Sequence, residues 1–99
     1  MVIKLINRGT TGELLLQGRL DTPAAAETEA IFNRTAARFE KVVLNLEGLE
    51  YITSSGLRIV KQLHINMKKK NGELVVKNTN KMVMEVFEMT GFVSLLNFE

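Results

Sequence analysis

The sequence has no cysteine and no tryptophan, and only one proline, one tyrosine and one histidine among its 99 residues. Without cysteine there are no disulfides, no thiol nucleophile and no thiolate metal site. One tyrosine and no tryptophan, with no alternation of basic and aromatic residues, leave no stacking surface of the RNA-binding type, and a net charge of +2 is too small to imply nucleic acid. No apolar run approaches the length that spans a membrane. The alternating Met1-Val2-Ile3-Lys4-Leu5 lacks the apolar centre of a signal peptide. No glycine-rich loop leads into Gly-Lys-Ser or Gly-Lys-Thr, so a nucleotide phosphate loop is unsupported. These absences point to a cytoplasmic protein without a membrane or nucleic-acid partner, and at this length to one domain over residues 1–99 with one core.

What is present reads as alternating strands and helices. Val2 to Asn7 and Glu13 to Arg19 alternate as strands, and Arg8-Gly9-Thr10-Thr11-Gly12 makes the turn of a hairpin. Thr22 suits an N-cap and Pro23 the first position of a helix running to about Phe39. Ala25, Phe32, Ala36 and Phe39 recur at helical spacing and face the sheet, while Glu27, Glu29, Arg34 and Arg38 point outward. Lys41 to Leu46 is nearly continuous apolar, as in a parallel strand covered on both faces, and Gly48 to Tyr51 links it to a second helix near Ser54 to Lys70. Asn71-Gly72 ends that helix as a left-handed pair. Leu74 to Lys77 is a strand, Asn80 caps a third helix that Gly91 stops, and Phe92 to Phe98 forms a last short element. The order β-β-α-β-α-β-α implies an α/β fold, a small mixed sheet with an N-terminal hairpin and helices packed against it.

Chemistry concentrates in Tyr51-Ile52-Thr53-Ser54-Ser55-Gly56-Leu57, where a strand-like segment opens an amphipathic helix. Two hydroxyls and a glycine sit at a helix N-terminus, where N–H groups lack partners and the dipole is positive, so an anion or a phosphorylated serine suits the site. Thr53, Ser55 and Gly56 form the cap and motif around Ser54. A serine nucleophile is not supported, because His64 lies ten residues along the same helix. Ile59, Val60, Leu63 and Met67 share the core face of that helix, and Arg58, Lys61, Gln62, Lys68 and Lys69 the opposite face. Ile65 falls within the polar face, an apolar anchor ringed by basic residues beside the serines. Lys68-Lys69-Lys70 complements the dipole of the last turn. Met67, Met82, Met84 and Met89 read as gap-filling core. Asn33-Arg34-Thr35 matches a glycosylation sequon by chance, inside a predicted helix. No cluster has metal-ligand spacing.

Three segments together resemble the STAS domain family, specifically its stand-alone bacterial anti-sigma-factor antagonists. They are Gly18-Arg19-Leu20-Asp21, the strand Val42 to Leu46 followed by Leu49 to Leu57, and Val86-Phe87-Glu88-Met89-Thr90-Gly91-Phe92. The resemblance implies a non-enzymatic regulator, without cofactor or metal, that acts by partner switching. It implies an anti-sigma serine kinase that binds the unphosphorylated antagonist and releases it on phosphorylation, and a PP2C-type phosphatase that resets it. Alignment on Gly56-Leu57 puts the acceptor at Ser54 rather than Ser55, with Thr53 where the family commonly carries aspartate. Asp21 matches an acidic position near the same surface, so Asp21, Arg58, Lys61 and Ile65 are the expected partner-contact residues. Two other readings stay open at this point: an accessory STAS subunit of a lipid-transport or sensory complex without phosphoswitching, and a small-anion-binding domain.

Overall fold

A computed structural model describes all 99 residues. β1 (Val2–Arg8) and β2 (Thr11–Leu20) form an antiparallel hairpin, followed by α1 (Thr22–Arg38), β3 (Lys41–Ile52), α2 (Ser54–Lys69), β4 (Glu73–Lys77), α3 (Lys81–Met89), a 3-10 turn (Phe92–Ser94) and β5 (Asn97–Phe98). The strands lie side by side in chain order, β1-β2-β3-β4-β5, and β2 to β5 are parallel. Parallel crossovers are right-handed. Three crossovers that each step one strand in the same direction must therefore leave all three helices on one face of the sheet.

That face holds the core. Leu14, Leu16, Val42, Leu44, Leu46, Leu74 and Val76 rise from the strands to meet Phe32, Ala36 and Phe39 near α1, Ile59, Val60, Leu63 and Met67 of α2, and Val83 and Phe87 of α3. Phe32, Phe39 and Phe87 are each at most 2% exposed, and burial of side chains this size contributes about 2–3 kcal/mol apiece. Lys70 ties two helices together: its Nζ donates to the carbonyls of Ala36 (2.7 Å) and Phe39 (3.0 Å) at the end of α1. The lysine thus serves the C-terminus of α1, where a cation is favoured, rather than only its own helix. No helix is long and apolar enough to cross a membrane.

Several local expectations give way. Asp21, not Thr22, caps α1: its Oδ1 accepts from the N–H of Ala24 at 3.2 Å. Gly12 belongs to β2 rather than to the turn, and the Phe39 ring packs where its side chain would be. Gly48 to Tyr51 is not a linker but the end of β3. Asn71 is left-handed (φ 60°) and Gly72 is not. Met67 is buried and Met84 packs on the core, but Met82 and Met89 are exposed, so two of the four methionines fill no gap.

β3 is also not covered on both faces. The face away from the helices carries Ile6, Glu13, Val43 and Val75 in one row and Lys4, Leu15, Asn45 and Lys77 in the next. Glu13 is 5% exposed and accepts hydrogen bonds from Asn45 Nδ2 (3.0 Å) and Arg8 Nε (3.1 Å), with Lys77 Nζ at 3.3 Å. The hydrogen bond from Asn45 outweighs burial and, with Lys77 and Arg8, holds the carboxyl below its ordinary range. Asn45 in turn accepts from Asn78 Nδ2 at 3.1 Å and from the N–H of Glu47.

Candidate functional site

The serine motif sits where β3 runs out. β3 carries one extra residue relative to β2 at two places: Leu15 and Gln17 pair with Asn45 and Gly48, and Gly18 and Arg19 pair with Leu49 and Tyr51. These bulges shift which side of the strand faces inward, so its core residues step from Leu46 to Leu49 to Ile52. At the strand end the N–H of Thr53 donates to the carbonyl of Leu20 at 3.0 Å, and α2 begins.

Thr53 occupies the cap position without capping. Its side chain makes no bond to α2; its hydroxyl instead donates to the carbonyl of Leu20 at 3.4 Å, a marginal length. The first helical bond runs from the N–H of Leu57 to the carbonyl of Thr53 at 2.9 Å. The N–H groups of Ser54, Ser55 and Gly56 therefore have no acceptor within the protein. They form a bare, positive helix end.

Gly56 is what brings this end so close to β2. A Cβ there would lie 2.8 Å from each of Ile52 Cγ1, Leu20 Cγ and the Leu20 carbonyl oxygen. Only a residue without a side chain lets the first turn of α2 rest on the ends of β2 and β3.

The two serines differ. Ser55 is half-buried, and its hydroxyl is 3.1 Å from that of Thr22 at the start of α1. Ser54 is exposed, and its hydroxyl engages no other protein group. The Thr22–Ser55 contact also places the start of α1, and with it Asp21, beside the start of α2. Asp21 uses one oxygen to cap α1 and holds the other 4.0 Å from Arg19, whose guanidinium lies 5.1 Å from the centre of the Tyr51 ring.

One turn along α2, Arg58 Nη1 bonds Glu29 of α1 at 3.2 Å and remains largely exposed. Lys61 is exposed and Ile65 half-buried, so Ile65 is not a free-standing anchor on an open face. Half-buried Asp21 lies at the start of α1, exposed Arg58 one turn into α2 and exposed Lys61 about two turns in, with Ile65 about one turn farther. Arg19, Tyr51, Thr22 and Glu29 belong to this neighbourhood too and escaped the reading of the sequence. Arg19 and Tyr51 do fall inside the quoted segments Gly18 to Asp21 and Tyr51 to Leu57, but nothing in the sequence marked any of the four as part of this surface. His64 is half-buried; burial, then the neighbouring charge of Lys68, lowers its pKa. It lies ten residues from Ser54, about 15 Å along the helix at 1.5 Å per residue.

Comparison with known proteins gives a consistent set of likenesses. The STAS domain profile matches residues 3–99. The chain is 38% identical over 81 residues to BtrV of Bordetella bronchiseptica, a candidate anti-sigma factor antagonist, covering 81% of this chain and 70% of that protein. Its fold matches a candidate anti-sigma factor antagonist of Thermotoga maritima with a TM-score of 0.90, at 16% identity over 97% of this chain and 84% of that one. It also matches the anti-sigma factor antagonist and Bacillus cell fate determinant SpoIIAA, whose structure in the phosphorylated form gives a TM-score of 0.78 at 20% identity over 99% of this chain and 91% of that one.

Proposed function

The chain belongs to the STAS domain family, and from that membership we propose that it is an anti-sigma-factor antagonist that switches partners through phosphorylation of Ser54. One observation carries the choice of residue: Ser54 offers an exposed, unengaged hydroxyl, while the Ser55 hydroxyl is held against Thr22. In this reading an anti-sigma kinase docks over the start of α2 with Asp21, Arg58 and Lys61 at its edge. The kinase moves the γ-phosphoryl group of ATP to Ser54 Oγ, releasing ADP and the hydroxyl proton. A PP2C-type phosphatase returns the serine by hydrolysis.

The switch acts on binding and leaves the fold intact. Phosphate adds about −1.5 to −2 charge. On Ser54 it lies at the positive end of α2, beside three N–H groups with no other acceptor. Arg58, four residues on, is a second ligand within reach of an (i, i+4) pair; the phosphate would compete for it with Glu29. The free antagonist accommodates the charge, whereas an interface shaped to a neutral hydroxyl meets it as an unpaired buried anion, which costs several kcal/mol.

Calorimetric titration against the cognate kinase tests this. Ser54→Ala is expected to bind as the unmodified protein does. Ser54→Glu is expected to bind at least about tenfold more weakly, which corresponds to about 1.4 kcal/mol, while remaining folded. Mass spectrometry after incubation with kinase and ATP is expected to find phosphate on Ser54 and not on Ser55. Equal affinities of the two variants would leave an accessory STAS subunit as the better reading.

A further inference from the structure

We propose that the open edge of β1, together with the groove between β1 and α1, binds an extended segment of a partner protein whose side chains alternate between apolar and acidic. β1 is the outermost strand, so one of its flanks has no neighbour. Natural edges are usually blunted by shortness, proline, bulges or charge. This one runs seven residues without proline and pairs with β2 in unbroken register, and Ile3 is its only residue that is not exposed. Of its two cations, Arg8 is already engaged by Glu13.

The side chains on either side of that edge say what would lie there. On the helix side, Leu5 is 41% exposed although it points toward the core face. With Ile31, Thr35 and Phe39 it lines a groove of about 310 Å³, whose lip carries Arg34 and Arg38. The Arg38 guanidinium is held 4.9 Å from the centre of the Phe39 ring. On the opposite side of the strand stands Lys4, in the row away from the helices. None of Lys4, Arg34 and Arg38 has a carboxylate partner. An added strand would send alternate side chains to the two sides. The apolar set meets the floor of the groove and the acidic set meets Lys4 on the other face. A second copy of this chain is the poorer fit: edge-to-edge pairing of two β1 strands would gather the unpaired Lys4, Arg34 and Arg38 of both copies along one seam.

This surface is distinct from the serine site. α1 begins against Ser55 and reaches Arg34 twelve residues after Thr22, about 18 Å farther at 1.5 Å per residue. A partner seated in the groove would therefore leave Ser54 open.

The test uses the full chain, isotope-labelled, and a soluble end-capped nine-residue peptide alternating valine and glutamate. A lysine-for-glutamate peptide is the control. The acidic peptide is expected to shift and protect backbone amides of Val2–Arg8 and to bind tenfold or more weakly to the Lys4→Glu variant, that side chain being exposed. Ser54→Glu is expected to leave the affinity unchanged, so the result stands apart from the fate of the phosphoswitch. Equal binding of the lysine peptide, shifts confined to other elements, or no shift on β1 at about 1 mM peptide, the weakest useful range, would overturn the proposal. So would concentration-dependent dimers that protect the same amides without peptide, since a second copy would then be the occupant.

Discussion

Thr53 is a cap residue by position only. Its hydroxyl points to the Leu20 carbonyl, so α2 starts without a side-chain acceptor for its bare N–H groups. Replacing it with alanine is therefore expected to change stability by no more than about 0.5 kcal/mol, the ordinary range for a substitution that breaks no strong interaction. Thr53→Asp supplies the missing acceptor and a charge that the helix end favours, and is expected to stabilise by about 0.5–1 kcal/mol. Urea melts of the three proteins measure both; a cost of 1 kcal/mol or more for the alanine variant would mean that the hydroxyl caps the helix in solution. Gly56 makes the opposite case. Its neighbours at 2.8 Å include a backbone carbonyl, which cannot rotate away. Gly56→Ala is expected to cost about 1–3 kcal/mol by overpacking, and to move the Ser54 hydroxyl with the helix end, so that phosphorylation slows as well. A variant with unchanged melting and unchanged modification rate would show that the contact relaxes freely.

Among the elements, what the sequence disclosed depended on whether a local rule was left undisturbed. The helices and the first four strands were legible because their apolar spacing is regular, and the serine motif because its sequence resembles the family's; hydroxyls and glycine at a helix start are otherwise ordinary caps. The last third of β3 was hidden. Its bulges make the inward residues fall at Leu46, Leu49 and Ile52, a spacing of three that no longer alternates and so imitates a loop. Asp21 and Thr22 are both good caps, and only the geometry of α1 chose between them. Glu13 was invisible because its partners come from β1, β3 and β4, at sequence distances that no local pattern joins. That network ties four strands and has a pH signature. The carboxyl titrates lower in the folded protein than in the unfolded chain, so its stabilisation is complete above the unfolded value and fades as pH falls through the folded one. The lowered pKa of His64 works in the same direction, since the unfolded chain takes up that proton more readily. Melting temperature is thus expected to fall on acidification. Glu13→Gln is expected to cost about 1.5 kcal/mol at neutral pH, the scale of a hydrogen bond to a charged group, with the gap to the parent closing as pH falls through the lowered folded value. A gap that stays constant with pH would assign the loss to packing alone.

For the molecule as a whole, the arrangement is one-sided: helices and the serine junction on one face and one end, a strand face with an internal ion network on the other, and a cationic groove along the first edge. The same strand order that forces this asymmetry has a consequence for how the chain is made. Because β1 to β5 lie in the order in which they are synthesised, no strand has to be inserted between two that have already paired. Each new βα unit docks on the free side of the one before, with short loops to close and little of the long-range searching that slows β-rich folds. The contacts that shape the serine junction, Thr53 to Leu20 and Ser55 to Thr22, lie wholly within residues 20–55. A nascent chain can therefore organise its serine junction before β4 and α3 have left the ribosome, and the two-residue β5 closes a sheet that is already in register.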